Sequence, residues 1–535
     1  MCYNVGMTFY SQNKNRRGVS TIAASCLLAS LAACKHDLAS NTTRLKDDAD
    51  SNVQSDDFRE LEKKPPHLSN SRIDVKHYDI DLKFKSMTTK EVSAQASIQL
   101  KLLKPDKYVR LHMEDSTISI ESTALVQKNK LTPTKFSVIQ GQAGKKGLSG
   151  GILRLELPAN LPAGEELTLV VKYTVKASSA NSDRGMYFKE SFEGEAIFNT
   201  RNWPYYARFW LPSNDHPADT STFNIKLAVP PGTVGVANGQ LAGGDYKNGS
   251  GIGTDGLKHF EWSMATPIPT YSVSITVAKL DVVQEDVCFN PEVYLSGERV
   301  PCDAAPVKIP FVYYVQKRHS DRTLYLKQAH EGIRQMILMS SFLGTYPYQK
   351  LGFVTAPHPF NMESASMIVM ISPEATTHEV AHHWWGNSVY IEHWGDLWIS
   401  EGLTTYFTGF YDEIFTGKYT GCKQSKGLLN NPKETDPLDI FNDTPYCKGA
   451  AAIADLRATI ESLARDAGKS DKGRDGFLLV MRHLYENFRF KRLGSDSLIK
   501  FLRENMKNSL AELKINTTSD TVERALSAWQ KKWFD

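Results

Sequence analysis

His378-Glu379-Val380-Ala381-His382 decides how this chain is read, together with Trp398-Ile399-Ser400-Glu401-Gly402 further on. The first stretch spells H-E-x-x-H. On a helix, His378 and His382 lie one turn apart on the same face, so both imidazoles can reach one metal ion. Eighteen residues separate His382 from Glu401, which supplies a third ligand from a second helix. Two imidazole nitrogens and a carboxylate oxygen suit one Zn2+ ion and leave a fourth position open, the pattern of a catalytic rather than a structural site. Such an ion acidifies water at neutral pH, so the spacing predicts a zinc hydrolase. Glu379 stands beside the first ligand without needing to be one. It is the candidate general base that takes a proton from water and passes it to the leaving group.

The 535 residues exceed one ordinary core and suffice for two or three domains. A composition of 41% hydrophobic and 23% charged residues is that of a globular protein. With a net charge of +3 and no basic block, no nucleic-acid partner is expected.

The N-terminus reads as a targeting segment. Arg16-Arg17 precede an uncharged stretch, Gly18 to Ala33, that is short for a membrane span and fits the apolar part of a signal peptide. Its ending, Leu31-Ala32-Ala33-Cys34, resembles the lipobox of bacterial lipoproteins. That resemblance implies cleavage before Cys34, lipidation of its thiol, and a membrane partner through the lipid. Lys35, rather than Asp, follows it, which favours the outer membrane, facing the periplasm. Cys288, Cys302, Cys422 and Cys447 complete the cysteines beyond Cys34. Four is an even number, and an exported chain meets an oxidising compartment. The local pairing Cys288–Cys302 closes about 15 residues, worth roughly 3 kcal/mol in the loop-entropy account. Cys422–Cys447 then clips the loop beside Tyr446. The other two pairings, and four free thiols, stay open.

Four regions follow: a signal peptide over 1–33, a polar tether over 34–71, a β domain over 72–283 and a catalytic domain over 284–535. The tether has almost no apolar clustering. From about Ile73 the pattern alternates with period two between Gly, Pro and Asn, as in Val75 to Phe84 and Leu167 to Tyr173. From about Pro306 the period becomes helical. Expected are a helix over Leu324–Phe342, short strands at 351–355 and 367–371, the metal helix from about Ala375 and the Glu401 helix to about Ile414. A helix over Lys448–Ala467 precedes a helical remainder with loops at 469–474 and 514–519. The fold class is multidomain α+β: an N-terminal all-β sandwich or saddle, then a mostly helical domain with a small sheet that carries the metal motif.

Two zinc classes do not match. A metzincin needs His at position 388, where Ser388 stands. A thermolysin-like second helix carries Asp four residues after its Glu, where Thr405 stands. The spacing and its flanks, His382-His383-Trp384-Trp385-Gly386-Asn387 and Trp394 to Gly402, instead resemble peptidase family M1, the gluzincin zinc aminopeptidases, in its leukotriene-hydrolase-like branch. The family usually has Gln at the place of His383 and Asn at the place of Ser400. Thr444-Pro445-Tyr446-Cys447-Lys448-Gly449-Ala450 resembles its Tyr-x-Lys-Gly-Ala segment, which implies that Tyr446 stabilises the oxyanion. Phe360-Asn361-Met362-Glu363-Ser364 resembles Gly-x-Met-Glu-Asn, which implies that Glu363 binds the α-amine of a peptide substrate. Phe360 and Ser364 depart from that pattern.

Arg208-Phe209-Trp210-Leu211-Pro212 resembles the segment that brings the β domain to the cleft. Nearby Trp203, Tyr205 and Tyr206 either line a specificity pocket or pack the domain interface. The resemblance covers about residues 72 to 535 and lacks the branch's C-terminal helical domain, so a more open cleft is expected. It implies a thermolysin-like, mostly helical metallopeptidase domain and an aminopeptidase activity, which the lipobox resemblance places at the cell envelope. A zinc endopeptidase or broader hydrolase on the same scaffold is the alternative, and a non-catalytic envelope binding protein a remote one.

Overall fold

In the first half, side chains at alternate positions turn inward. In the strand Ile73–Lys83, the apolar Ile73, Val75, Tyr78, Ile80 and Leu82 are buried. Their phase changes because a bulge lies between Val75 and His77, and the extra residue restores the inward face. The computed structural model describes residues 68–535 apart from 129, 141–150, 180–183, 191–193, 294–299, 317–321, 423–426, 430, 434 and 443. Cys34, the signal segment 1–33 and the tether up to residue 67 therefore lie outside the described residues.

Ile73–Lys83 pairs antiparallel with Glu91–Leu102 and parallel with Thr220–Val229. It stands inside an eight-stranded sheet ordered 240–241, 258–269, 220–229, 73–83, 91–102, 166–176, 118–127, 130–133. A five-stranded sheet that includes Ala196–Arg201 and Ile275–Ala278, and a three-stranded sheet, complete the β-rich half. The turn Thr270–Ser272, a single 3-10 turn, projects from this half toward the site.

The second half opens on a sheet. Leu280–Phe289 pairs antiparallel with Val307–Gln316, which continues in parallel to Leu351–Thr355 and Met367–Met370. Two expectations are corrected here. The boundary drawn between 283 and 284 falls inside Leu280–Phe289, and a strand occupies 307–316, where a helical period was expected. Phe311 to Val315 are all buried, so this central strand has no polar alternate to reveal its period. Met362 adds a bridge to the sheet edge, exchanging hydrogen bonds with Val369 at 2.9 and 3.0 Å. Glu363 follows immediately and so starts from a fixed edge.

Of the helices that follow, Arg322–Leu343 and Thr376–Ala381 pack on this sheet, and Leu397–Thr416, Gly449–Asp466, Gly473–Phe488, Ser495–Glu512 and Ser519–Trp533 pack on them and on one another. The C-terminal run has one break more than expected. Phe490 takes a left-handed φ of 59°, and Lys491–Leu493 pairs in parallel with Val389–Ile391, just beyond the metal-ligand turn. Disulfides join Cys288 to Cys302 and Cys422 to Cys447.

Candidate active site

The metal helix is short. Thr376–Ala381 gives way to a turn at His382, but the His382 N–H still donates to the His378 carbonyl at 3.2 Å. That bond keeps the one-turn spacing, and the two Nε2 atoms lie 3.1 Å apart. Glu401 reaches them from Leu397–Thr416, with Oε2 3.5 Å from His378 Nε2 and 3.3 Å from His382 Nε2. Among the described residues, this buried oxygen has no hydrogen-bond partner of good geometry. A buried carboxylate oxygen without a donor, facing two imidazole nitrogens, is a place for a cation. The donor set fits one Zn2+ ion held by His378, His382 and Glu401.

The protein also sets the tautomer of His382. Its Nδ1 lies 3.0 Å from the Trp385 carbonyl, which can only accept, so Nδ1 carries the proton and Nε2 is left for the metal. Thr404 Oγ1 at 3.1 Å and Ser400 Oγ at 3.3 Å line the same nitrogen. Gly386 is obligatory beside them. It has φ +110°, and a Cβ there would come 2.3 Å from Ser400 Oγ. His383, one residue on from His382, is no ligand and is not at the surface. It is fully buried, with Nδ1 2.9 Å from the Tyr346 hydroxyl.

Glu379, Glu363 and His382 bring ligand-type atoms within 4.8 Å of one another. Burial, then the charges of Glu363 and Glu401, push the Glu379 carboxyl well above the usual range, against the pull of His382. Burial pushes Glu363 up to about 7, with Glu401 adding to it and His382 opposing. Burial works against charge on Glu401 too, but the imidazoles of His382 and His378 hold it down at about 2. The surroundings thus drive the three buried carboxyls in opposite directions, Glu401 toward its charged form and Glu379 and Glu363 toward their protonated forms.

Tyr446 lies in one wide turn, Thr444–Lys448, leading into Gly449–Asp466. Its ring stacks on His378, with centroids 6.0 Å apart and planes 26° apart. Burial first, then the carboxylates of Glu401, Glu363 and Glu379, push its phenol well above 10, so it stays a hydroxyl donor. The turn comes close to the metal ligands because Gly402 and Gly449 touch. A Cβ on Gly402 would lie 2.4 Å from Gly449 Cα. The Cys422–Cys447 disulfide ties the same turn to the loop after the Glu401 helix.

The β-rich half supplies packing at the rim. Trp203 lies against Phe441, centroids 4.4 Å apart, and edge-on to Phe360 and Trp394. Tyr205 donates its hydroxyl to Asp436 Oδ1 at 3.2 Å. All three aromatics are buried; Trp203 and Tyr205 pack the interface between the halves, while Tyr206 packs against Tyr205 and Phe209 of its own half. Arg208 is paired with Asp215 at 3.1 Å and buried with it. Sequence reasoning missed Asn387, Ser272 and the Gly402–Gly449 contact. Of these only the glycines carried a local signal, since Gly inside a helix calls for a packing reason.

A β-rich half docked on a helical half with a His-His-Glu centre defines a zinc metallopeptidase of the gluzincin type. The comparisons with known proteins narrow the class. The pattern of the Peptidase M1 N-terminal domain matches residues 74–272, and that of the Peptidase family M1 domain matches residues 348–518. The chain belongs to peptidase family M1. It is 23% identical over 482 residues to Aminopeptidase M1-D of Oryza sativa subsp. japonica, covering 82% of this chain and 48% of that protein. The chain spans less than half the length of such curated relatives. Among solved structures, the M1 zinc metallopeptidase from Deinococcus radiodurans superposes with a TM-score of 0.65 at 19% identity, covering 87% of this chain and 96% of that one. A mutant two-domain M1 zinc metallopeptidase bound to L-arginine gives 0.64 at 18% identity, covering 86% and 95%.

Proposed function

We propose that this chain is a zinc-dependent aminopeptidase that removes N-terminal residues from peptides at the bacterial cell envelope. One observation directs the peptidase reading to N-termini: the buried Glu363 carboxylate lies within 4.8 Å of ligand-type atoms on Glu379 and His382. A second buried carboxyl beside the metal ligands calls for a cation, and the α-ammonium group of a peptide supplies one.

When bound, the zinc ion polarises the scissile carbonyl and acidifies water. Glu379 takes a proton from the attacking water and hands it to the leaving amine nitrogen. Tyr446 keeps its own proton and donates a hydrogen bond where negative charge develops on the carbonyl oxygen. Glu363 pairs with the α-amine and so sets which peptide bond reaches the metal.

The test compares one peptide with a free amine against its N-acetylated form, using purified zinc-loaded protein and Glu379→Gln as a blank. Cleavage of the free form alone is expected. Equal cleavage of both would replace this reading with a zinc endopeptidase or broader hydrolase, which the altered neighbours Phe360 and Ser364 favour. The envelope location rests on Leu31-Ala32-Ala33-Cys34. Wild-type protein is expected to incorporate a labelled fatty acid that Cys34→Ser does not; equal labelling of the two, or none of the wild type, would rule out anchoring by this thiol.

A further inference from the structure

The turn Thr270–Ser272 of the β-rich half is wedged against two segments of the active site. Tyr271 donates its hydroxyl to the Gly386 carbonyl at 2.9 Å. The Ser272 hydroxyl donates to Asn387 Oδ1 at 3.2 Å and accepts from the Ala365 N–H at 2.9 Å. Asn387 makes two further contacts. Its backbone N–H donates to the His382 carbonyl at 3.1 Å, and its side-chain NH2 donates to the Glu363 carbonyl. Asn387 and Ser272 are both fully buried.

One residue therefore spans the metal-ligand turn and the segment that carries Glu363, and its remaining acceptor is held from the other half of the molecule. Asn238 supports the far side, donating to the Ser272 carbonyl at 3.0 Å and to the Ala365 carbonyl at 2.6 Å. In a dry interior no water replaces a lost partner, so these bonds set the backbone of Glu363 within hydrogen-bond tolerance. That tolerance matters because a carboxylate selects an α-amine only when it stands one residue's length from the reacting carbonyl.

We propose that Asn387, oriented by Ser272, is the positioning residue that fixes the distance from Glu363 to the metal ligands and so restricts the substrate to peptides with a free α-amine. The proposal rests on the aminopeptidase reading above. Asn387 acts through Glu363 and touches no reacting atom.

The experiment compares zinc-loaded wild-type protein with Asn387→Asp and Ser272→Ala. It reads zinc per chain, and kcat and KM for a free-amine tripeptide and its N-acetyl form. Asp has the size of Asn but no N–H to give, so it sets an acceptor against the Glu363 carbonyl. Asn387→Asp is expected to keep its zinc and to lose about tenfold or more of the preference for the free amine, mainly through KM. Ser272→Ala moves the preference the same way by roughly threefold to fivefold. Should Asn387→Asp fail to fold, Ser272→Ala decides alone. A zinc-loaded variant with the wild-type preference overturns the proposal. Loss of zinc from Ser272→Ala overturns it too, because the role would then be structural support of the ligands. A wild type that does not prefer the free amine would remove the aminopeptidase reading itself, and this proposal with it.

Discussion

At the scale of single residues, Tyr446 offers the sharpest test of the proposed oxyanion role. Its phenol is held protonated by burial and three carboxylates, which suits a donor to a developing oxyanion. Tyr446→Phe removes one hydroxyl and leaves the ring that stacks on His378. It is expected to lower kcat by about 10²- to 10³-fold, with little change in KM. Steady-state kinetics on a free-amine peptide checks this, and a loss confined to KM would reassign the hydroxyl to ground-state binding. Two of the candidate metal ligands and the proposed base were legible one by one. His378, His382 and Glu379 follow from helix geometry, since a four-residue spacing is a shared face. Asn387 was not legible. Its partners Glu363 and Ser272 lie 24 and 115 residues away in the chain, and no local pattern marks such contacts.

At the scale of elements, the crossing of Leu397–Thr416 with Gly449–Asp466 sets the distance between Glu401 and Tyr446. The two helices meet at Gly402 and Gly449, where backbone touches backbone. Gly402→Ala gains helix propensity, roughly 1 kcal/mol in an open helix. Here its Cβ meets the Gly449 Cα at 2.4 Å, and main chain cannot step aside. The expected outcome is a net loss of about 1–3 kcal/mol from overpacking. A displacement on the order of 1 Å at the site would also cost about 10²-fold in kcat/KM. Thermal melts and kinetics on the same sample test both, and a variant with unchanged melting and rate would show that this contact does not set the spacing. The elements themselves were read unevenly. The helix at 322–343 and the strands at 351–355 and 367–370 carry clear periods or turn signals. Val307–Gln316 does not: like those two strands it is buried on both faces and lacks alternation, and Pro310 inside it reads against a strand.

At the scale of the whole molecule, the β-rich half is part of the site's architecture. It supplies Ser272 and Tyr271 to the ligand turn and Trp203 to the rim. It also contains an ionisable group that makes stability depend on pH. Asp219 is buried, and its Oδ2 accepts from the Asn214 side chain and from the Val75 N–H at 3.4 Å. Burial pushes this carboxyl up to about 8, with Asp74 adding to it. Below about pH 4 the group is neutral in folded and unfolded chains alike. As pH rises from there to about 8, the unfolded chain releases a proton that the folded protein keeps. Stability from this group therefore falls through that window, by at most about 1.4 kcal/mol per pH unit. Asp219→Asn is expected to flatten that part of the profile. Melting temperatures measured from pH 4 to 9 decide it, and an unchanged slope would exclude Asp219 as its source.

Helical spacing put His378 and His382 on one face with Glu379 beside them, because a period of 3.6 converts positions in a line into a face in space, whereas Glu401, on a second helix, rested on the longer pattern. Alternation with period two likewise marked the β-rich half. Only the tertiary structure decided how Glu363 stands to the metal ligands, that Gly402 meets Gly449, and that Ser272 holds Asn387 from the other half. These arrangements come from contacts between residues far apart in the chain. Each is selected by packing and by the need to satisfy buried polar groups, and neither leaves a period in the sequence.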